Sequence, residues 1–302
     1  MLNFMRRKPA PRRAASCTLS TFLEGCSVEV MPRTLAKLPE LDDLFPRGTR
    51  VYIAHIDGTP IGDMVATARR LRDAGYEPMP HLPARMIPDR ATFESWVRAY
   101  AEEAGVTQAL VLAGGLTSPL GPFESSMDLL GTGLFDRFGF RRLHVAGHPE
   151  GNRDIDTDGG EREAMKALAW KQALADRSDA EMAIVTQFVF DAAPVISWAR
   201  RLDAAGVTLP IHVGLAGPAR LQTLIKYAVA CGVGPSLSVL RKRAMDVGQL
   251  LLPYAPTELA QSLAEAAPDL PNLAQAHLFP LGGIPASADW LAHHQRPHLK
   301  GL

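Results

Sequence analysis

Glu29 stands between Val28 and Val30 in the run SVEV, a setting from which a strand normally excludes a carboxylate or supplies it with a partner. Burial disfavours the charged form, so such a group is expected to have a raised pKa and to serve as a general acid. Gln187 is a second polar residue out of place, inside MAIVTQFVFD (182–191). A buried amide without hydrogen-bond partners costs roughly 1–3 kcal/mol. Gln187 is therefore either satisfied by nearby backbone or set at a strand end facing a ligand. Phe188 and Phe190 follow it, as core packing or as an aromatic wall for a flat heterocycle. His55, His81 and His148 sit in or just after other apolar runs, and Gly114-Gly115 closes another. Imidazoles in such places can hold protons or metals, although a structurally satisfied histidine is the commoner outcome. These three come from separate segments without a second local ligand pair, so no metal centre is expected.

The elements that must position these residues follow from hydrophobic periodicity. Candidate strands are Ser27–Met31, Arg50–Ile56, Glu77–Leu82, Gln108–Ala113, Arg142–Gly147, Met182–Gln187, Leu209–Leu215 and Gln275–Leu281. Amphipathic helices fit between them at Gly62–Ala74, Phe93–Ala104, Gly160–Asp176, Ala193–Ala205 and Pro218–Cys231, with two more in 236–268. Several stop at glycine, as at Gly75, Gly105 and Gly206. About eight strands alternating with helices predict a single-domain (β/α)8 TIM barrel. An open doubly wound sheet is the alternative, weakened because no G-x-G-x-x-G follows the first strand. In a barrel, chemistry sits at the C-terminal strand ends, where Glu29, His55, His81, Gly114, Gly115, His148 and Gln187 all fall.

Composition excludes several other classes. The chain has 302 residues, 47% hydrophobic and 21% charged, with zero formal net charge. Neither nucleic acid nor an anionic membrane is indicated as a partner. No apolar run reaches the roughly 18–20 residues that span a bilayer. Cys17, Cys26 and Cys231 show no C-x-x-C spacing, which argues against a disulfide framework or a cysteine zinc site and fits a reducing, cytoplasmic setting. Residues 1–20 include Arg6, Arg7, Lys8, Arg12 and Arg13 without the apolar stretch of a secretory signal, and read as a disordered basic extension to a barrel domain at 21–302. No appended regulatory domain is expected, and homo-oligomerisation stays open.

The polar strand ends coincide with one family pattern. Gly147-His148-Pro149-Glu150, then Lys171, then Thr186-Gln187-Phe188-Val189-Phe190-Asp191 resembles a Gly-Tyr-Pro-Glu turn, a helix lysine and a Thr-Gln-Phe-Phe-Phe-Asp strand in methylenetetrahydrofolate reductases. SVEVMPRT (27–34) is similar to that family's opening strand, and MPHLPAR (79–85) to its Pro-His-Leu-Thr segment. Segments 209–236 and 277–283 match more loosely. The resemblance spans roughly residues 22–295 and is specific at 145–191.

The resemblance implies reduction of 5,10-methylenetetrahydrofolate to 5-methyltetrahydrofolate, with FAD as cofactor and NADH or NADPH as reductant. Glu29 would be the general acid, and Gln187 and Phe190 would hold the substrate. His55, His81, Gly114, Gly115, His148, Asn152 and Lys171 would contact the cofactor. The chain departs from the pattern where the family shows Leu-Arg-Gly-Asp after strand four, since it has Leu112-Ala113-Gly114-Gly115. His148 replaces the family tyrosine and Asn152 a histidine. These departures open two alternatives: direct hydride transfer from the nicotinamide without flavin, and a non-catalytic folate-binding or partner subunit. A different barrel enzyme, such as an aldolase or a metal hydrolase, is a third.

Overall fold

Strands covered by helices outside and by packed side chains inside must be short and apolar, and each of the runs identified above forms one. The computed structural model describes residues 17–41, 43–233, 239–240 and 253–295. Eight parallel strands close into a barrel in sequence order, with the last pairing back on the first. They are β1 (Ser27–Val30), β2 (Arg50–Ile53), β3 (Glu77–Pro83), β4 (Gln108–Leu112), β5 (Arg142–Gly147), β6 (Glu181–Val189), β7 (Ile211–Ala216) and β8 (Leu273–Phe279). The expected (β/α)8 architecture is the one observed.

The outer ring is made by α1 (Leu19–Leu23), α2 (Pro32–Leu35), α3 (Ile61–Asp73), α4 (Arg90–Ala104), α5 (Ser126–Leu130), α6 (Leu134–Arg137), α7 (Arg162–Ala175), α8 (Ala192–Ala204), α9 (Leu221–Ala230), α10 (Thr257–Ala266) and α11 (Ile284–Gln295). Local chemistry sets their ends. Asp89 accepts the Thr92 N–H at 2.7 Å to start α4, and Gly105 stops it at φ +61°, a left-handed conformation natural to glycine. The five- and four-residue helices α5 and α6 are too short to show a helical period and were not anticipated. Of the two helices expected in 236–268, α10 is present, and most of 234–252 lies outside the described residues. Residues 1–16 of the basic arm also lie outside them, while Leu19 and Ser20, assigned to that arm from sequence, belong to α1.

Alternation along the strands sends side chains to two places. Val28, Val51, Ile53, Val111 and Val145 pack with Met64, Leu71, Phe93 and Val97 in the layer between strands and helices. Each such fully buried side chain contributes roughly 1.5–3 kcal/mol. Tyr52, Met79, Leu110 and Val185 form a separate small cluster inside the barrel. The inward positions around that cluster are polar to an unusual degree, as described below.

The register of β6 against β7 shifts between Val185 and Phe188. Thr186 supports this irregularity: its hydroxyl donates to Gln187 O at 2.8 Å and accepts the Gly214 N–H at 2.9 Å. A Cβ on Gly214 would lie 2.5 Å from Gln187 O and 2.6 Å from its carbonyl carbon, so glycine is required where the bulge presses on β7. The bulge also carries β6 to Val189, beyond the end expected from sequence. Gly214→Ala is expected to destabilise the protein by about 1–3 kcal/mol, because backbone, unlike a flexible side chain, cannot yield. Urea unfolding against wild type measures this, and an unchanged midpoint would remove the bulge from the account of how Gln187 is placed.

Candidate functional site

The C-terminal strand ends enclose a cavity of about 720 Å³. Glu29 from β1, His55 after β2, His81 from β3, Gly115 after β4, His148 after β5 and Gln187 from β6 all line it. A second lobe of about 680 Å³ lies under the β5–α7 loop and includes Asn152. Gly147, His148, Gln187, Phe188 and Cys231 line both lobes and so form the ridge between them.

Gln187 is exposed at this ridge. Its Oε1 accepts the Phe188 N–H at 3.1 Å. The buried amide expected from sequence is therefore exposed instead, partly satisfied by adjacent backbone and lining the cavity, because the bulge turns it out of the strand. Gly115 borders open space, and a Cβ there would meet nothing within 4 Å. Gly114 does not line the cavity; at φ +95° it turns the chain against Pro83. Phe190 is placed differently from the expectation of substrate contact. It is buried against Phe188 and Tyr254, at ring-centroid distances of 5.7 and 5.6 Å, and lines neither lobe.

Glu29 is held by imidazoles. Its Oε2 lies 3.2 Å from His81 Nε2 and 3.7 Å from His277 Nε2, with 19% of the side chain exposed. The His81 ring N–H is not aligned on the oxygen, so this contact is an ion-pair approach rather than a directed hydrogen bond. Burial pushes the carboxyl upward, but the two imidazoles, His81 foremost, outweigh it and hold Glu29 down at about 2. This corrects the raised pKa expected from sequence. Apolar flanks at Val28 and Val30 point away into the helix layer, whereas the carboxylate meets polar residues of strands distant in sequence.

Those polar residues continue down the barrel axis, and the sequence reading missed them. The fully buried His277 Nδ1 lies 2.9 Å from Ser27 Oγ. The Tyr52 ring packs on His277 with centroids 4.4 Å apart, and its hydroxyl hydrogen-bonds His144 Nδ1 at 2.5 Å. His212 meets His144 edge-on at 4.9 Å. Desolvation lowers the pKa of His144 and His277 and takes His212 to about 3, so these inner rings are neutral near pH 7. The missing signal was period two: Ser27 precedes Glu29 by two, Tyr52 follows Arg50 by two, and His144 follows Arg142 by two.

His55 stacks on Trp96 at 5.1 Å and its Nε2–H donates to Thr59 O at 3.0 Å, while its buried Nδ1 has no partner. Burial lowers its pKa. His148 is neutral, held at about 4 by desolvation and then by the Lys171 cation. Asn152 Nδ2 is 3.4 Å from His148 Nδ1. Lys171, on α7, is 6% exposed and lines neither lobe directly; it lies behind His148. Desolvation lowers it to about 8, and no carboxylate among the described residues comes within ion-pair distance. Among the described residues, no three His, Cys, Asp or Glu side chains are grouped as a metal ion would require.

No protein-family model matches the chain. Its fold is similar to that of an uncharacterized protein from Clostridium thermocellum that binds two copies of 5-methyl-5,6,7,8-tetrahydrofolic acid, with a TM-score of 0.55 and 12% identity over 92% of this chain and 97% of that one. At that identity the likeness speaks to the fold alone. An intracellular xylanase from Thermoanaerobacterium saccharolyticum gives a TM-score of 0.39 at 10% identity, covering 90% of each chain. A xylose isomerase domain containing protein from Salmonella typhimurium gives 0.35 at 12% identity, covering 90% of this chain and 95% of that one.

Two stability measurements follow from these charges. Glu29 has a folded pKa of about 2 against an ordinary 4.5, so its contribution is present above the ordinary value and is lost as pH falls towards 2. Between pH 5 and pH 3, wild type should lose on the order of 2 kcal/mol more than Glu29→Gln in urea unfolding. Equal losses would mean that the imidazoles do not hold the carboxylate. Lys171 has the opposite sense: a folded pKa of about 8 against 10.5 makes its charge destabilising below the folded value, and the deficit shrinks as pH rises from 8 towards 10.5. Lys171→Met should therefore be more stable than wild type by roughly 2 kcal/mol at pH 7, with the gap narrowing at pH 10.

Proposed function

We propose that this protein reduces 5,10-methylenetetrahydrofolate to 5-methyltetrahydrofolate at the expense of NADH or NADPH. The observation that carries the reading is Glu29 at the floor of a strand-end cavity that also presents the Gln187 amide. Fold likeness to a protein that binds 5-methyltetrahydrofolate supports it. So does the motif resemblance at 145–191.

The chemistry asks for an acid, an orienting group and a dry floor. The methylene carbon bridges two nitrogens and resists hydride until protonation at N10 opens the ring to an N5 iminium. Glu29 is the buried carboxyl of the cavity and, being ionised in the resting site, would have to take up a proton before its oxygen could deliver one; Asp57 also lines the cavity but is exposed. A positioned acid typically contributes about 10²–10⁴-fold. Gln187 carries a donor and an acceptor that match the edge of a pterin ring, and a site built around such contacts rejects ligands that leave them unpaired. Neutral His55, with its unpartnered Nδ1, is available to a third polar group of the ligand.

The residues present fit FAD. The two lobes join across a glycine-containing ridge, Gly115 leaves open space, and Lys171 supplies buried positive charge behind His148. His55, His81, Gly115, His148 and Asn152 would hold the cofactor, and Lys171 would favour its anionic portion. When bound, FAD supplies hydride from its reduced ring. A second reading keeps the reaction and dispenses with the flavin. Ala113 and Gly115, which stand where the family pattern has its Arg and its flavin-facing Asp, favour it. A binding role without turnover is weakened by Glu29, because a pure binder has no use for a charged carboxylate that requires two imidazoles to retain it.

Purified protein should oxidise NADH or NADPH only when methylenetetrahydrofolate is present. Dependence on added or bound FAD supports the flavoenzyme, and turnover by flavin-free protein supports direct transfer. Glu29→Gln should lower kcat by about 10²–10⁴-fold. No folate-dependent oxidation with either nicotinamide overturns the reading.

A further inference from the structure

The N-terminal mouth of the barrel, at the far end from the cavity, is lined by charge. We propose that it is a second binding site, for a small, multiply charged oxyanion such as a phosphate group or a polycarboxylate. The site is independent of the reductase reading above.

Five consecutive strands begin with a polar or charged residue: Arg50 in β2, Glu77 in β3, Gln108 in β4, Arg142 in β5 and Glu181 in β6. Register sets Arg50 beside Glu77, Gln108 beside Arg142 and Arg142 beside Glu181. Arg142 forks onto Glu181 Oε2, with Nε at 2.8 Å and Nη2 at 2.5 Å. That pair closes one side of the mouth and is structural. The charge that remains is poorly matched. Gln108, 6% exposed, turns one oxygen to both Arg50 Nε at 3.1 Å and Arg142 Nη1 at 3.4 Å. Glu77 Oε2 is shared in the same way, but at 3.9 Å from Arg50 and 3.7 Å from Arg142, beyond hydrogen-bond reach. The two guanidiniums are thus drawn to the same acceptors, with side chains 16% and 28% exposed. Among the described residues, Gln108 is the one aligned acceptor for the Arg50 fork, which also lies near the Tyr52 hydroxyl.

Two further guanidiniums stand at the rim. A depression of about 290 Å³ is lined by Arg72, Arg141 and Arg142 together with Glu77, Gln108 and Glu181. Arg72 lies in the last turn of α3, and Arg141 directly precedes β5. Both are exposed, and neither has an ion pair among the described residues. Arg72 is laid across Gly105, where any side chain would displace it. With Arg50 behind the depression, four guanidiniums face two carboxylates, and Glu181 is already held by Arg142.

Like charges held this close repel, and partial burial weakens the screening that water would provide. An oxyanion in the depression would supply the acceptors that Gln108 and Glu77 provide only in part. Guanidinium forks match the paired oxygens of phosphate and carboxylate. Glu77 and Glu181 stay at the rim, so a group with more than one negative charge is favoured over a singly charged ion. The depression has room for a phosphate or a small phosphorylated or polycarboxylic metabolite and is too small for a dinucleotide.

The test is titration calorimetry and thermal unfolding of the full-length protein with inorganic phosphate, glycerol 3-phosphate and citrate, at an ionic strength held constant with potassium chloride. At least one probe should bind saturably with a Kd of about 1 mM or below and raise Tm, while chloride does neither. Arg72→Ser and Arg141→Ser remove exposed groups without ion pairs, so the fold is kept, and each should weaken binding by about 5–10-fold. Glu77→Gln removes a competing carboxylate and should tighten binding several-fold, whereas a purely structural role for these charges predicts loss or no change. Lys171→Met, beside the cavity at the other end of the barrel, should leave the affinity unchanged. Preference for the phosphate probes or for citrate identifies the ligand's chemistry. The site is overturned by probes that bind no better than chloride, by arginine variants that bind as wild type does, or by binding that Lys171→Met abolishes.

Discussion

A carboxylate can stay charged inside a protein only if the structure brings compensating groups to it from several directions. In this barrel that constraint falls on Glu29. Its compensation comes from β3 and β8, at opposite flanks of its own strand and its neighbour, and neither lies near it in sequence. Closure of the sheet is therefore a condition of the site as much as of the fold. An open sheet with the same strands would separate β1 from β8 and leave Glu29 without His277. The pairing of Ser27 with His277 in the β1–β8 register also sets Ser27 Oγ against the His277 ring, which fixes the side of the ring that faces Glu29.

The rest of the site is arranged around that floor by backbone devices. The β6 bulge lifts Gln187 to the ridge between the lobes, and Thr186 and Gly214 satisfy the displaced backbone. Under the β5–α7 loop, Asp156 is buried and accepts the N–H groups of Glu163 at 2.8 Å and Ala164 at 3.0 Å. Anchoring the loop on the first turn of α7 holds His148 and Asn152 over the second lobe and places Lys171, further along the same helix, behind them. One loop anchor thus sets three residues that sequence spacing alone would leave independent.

How much of this was legible in the sequence depended on whether the signal was local. Strand runs and glycine stops are local, so the barrel could be read from alternation of apolar runs with amphipathic segments. Glu29, His81 and Gln187 were conspicuous because each is a polar residue in an apolar run. Phe190 was misplaced because an aromatic residue after a strand looks the same whether it lines a cavity or, as here, packs on Phe188 and Tyr254. The charge state of Glu29 was misread for a different reason. Val28 and Val30 are its neighbours in sequence but face the helices, and the imidazoles that decide its ionisation arrive from residues 81 and 277. Electrostatics is set by contacts in space, and period-two reading of Ser27, Tyr52, His144, His212 and His277 as inward residues was the one sequence route to them.

The same contrast separates the two lobes. The floor near Glu29 is compensated charge, stable without a ligand above its acid transition. The second lobe is different, because Lys171 is a desolvated cation with no carboxylate within ion-pair distance among the described residues, and its charge adds to the desolvation that holds His148 neutral. A buried cation left without a counter-charge lowers stability in the resting protein. A ligand that brings negative charge to that lobe would relieve this penalty and would gain affinity by doing so, whereas a neutral ligand would not. The barrel thus sets a compensated carboxylate at the floor of one lobe and an unpaired buried cation behind the other.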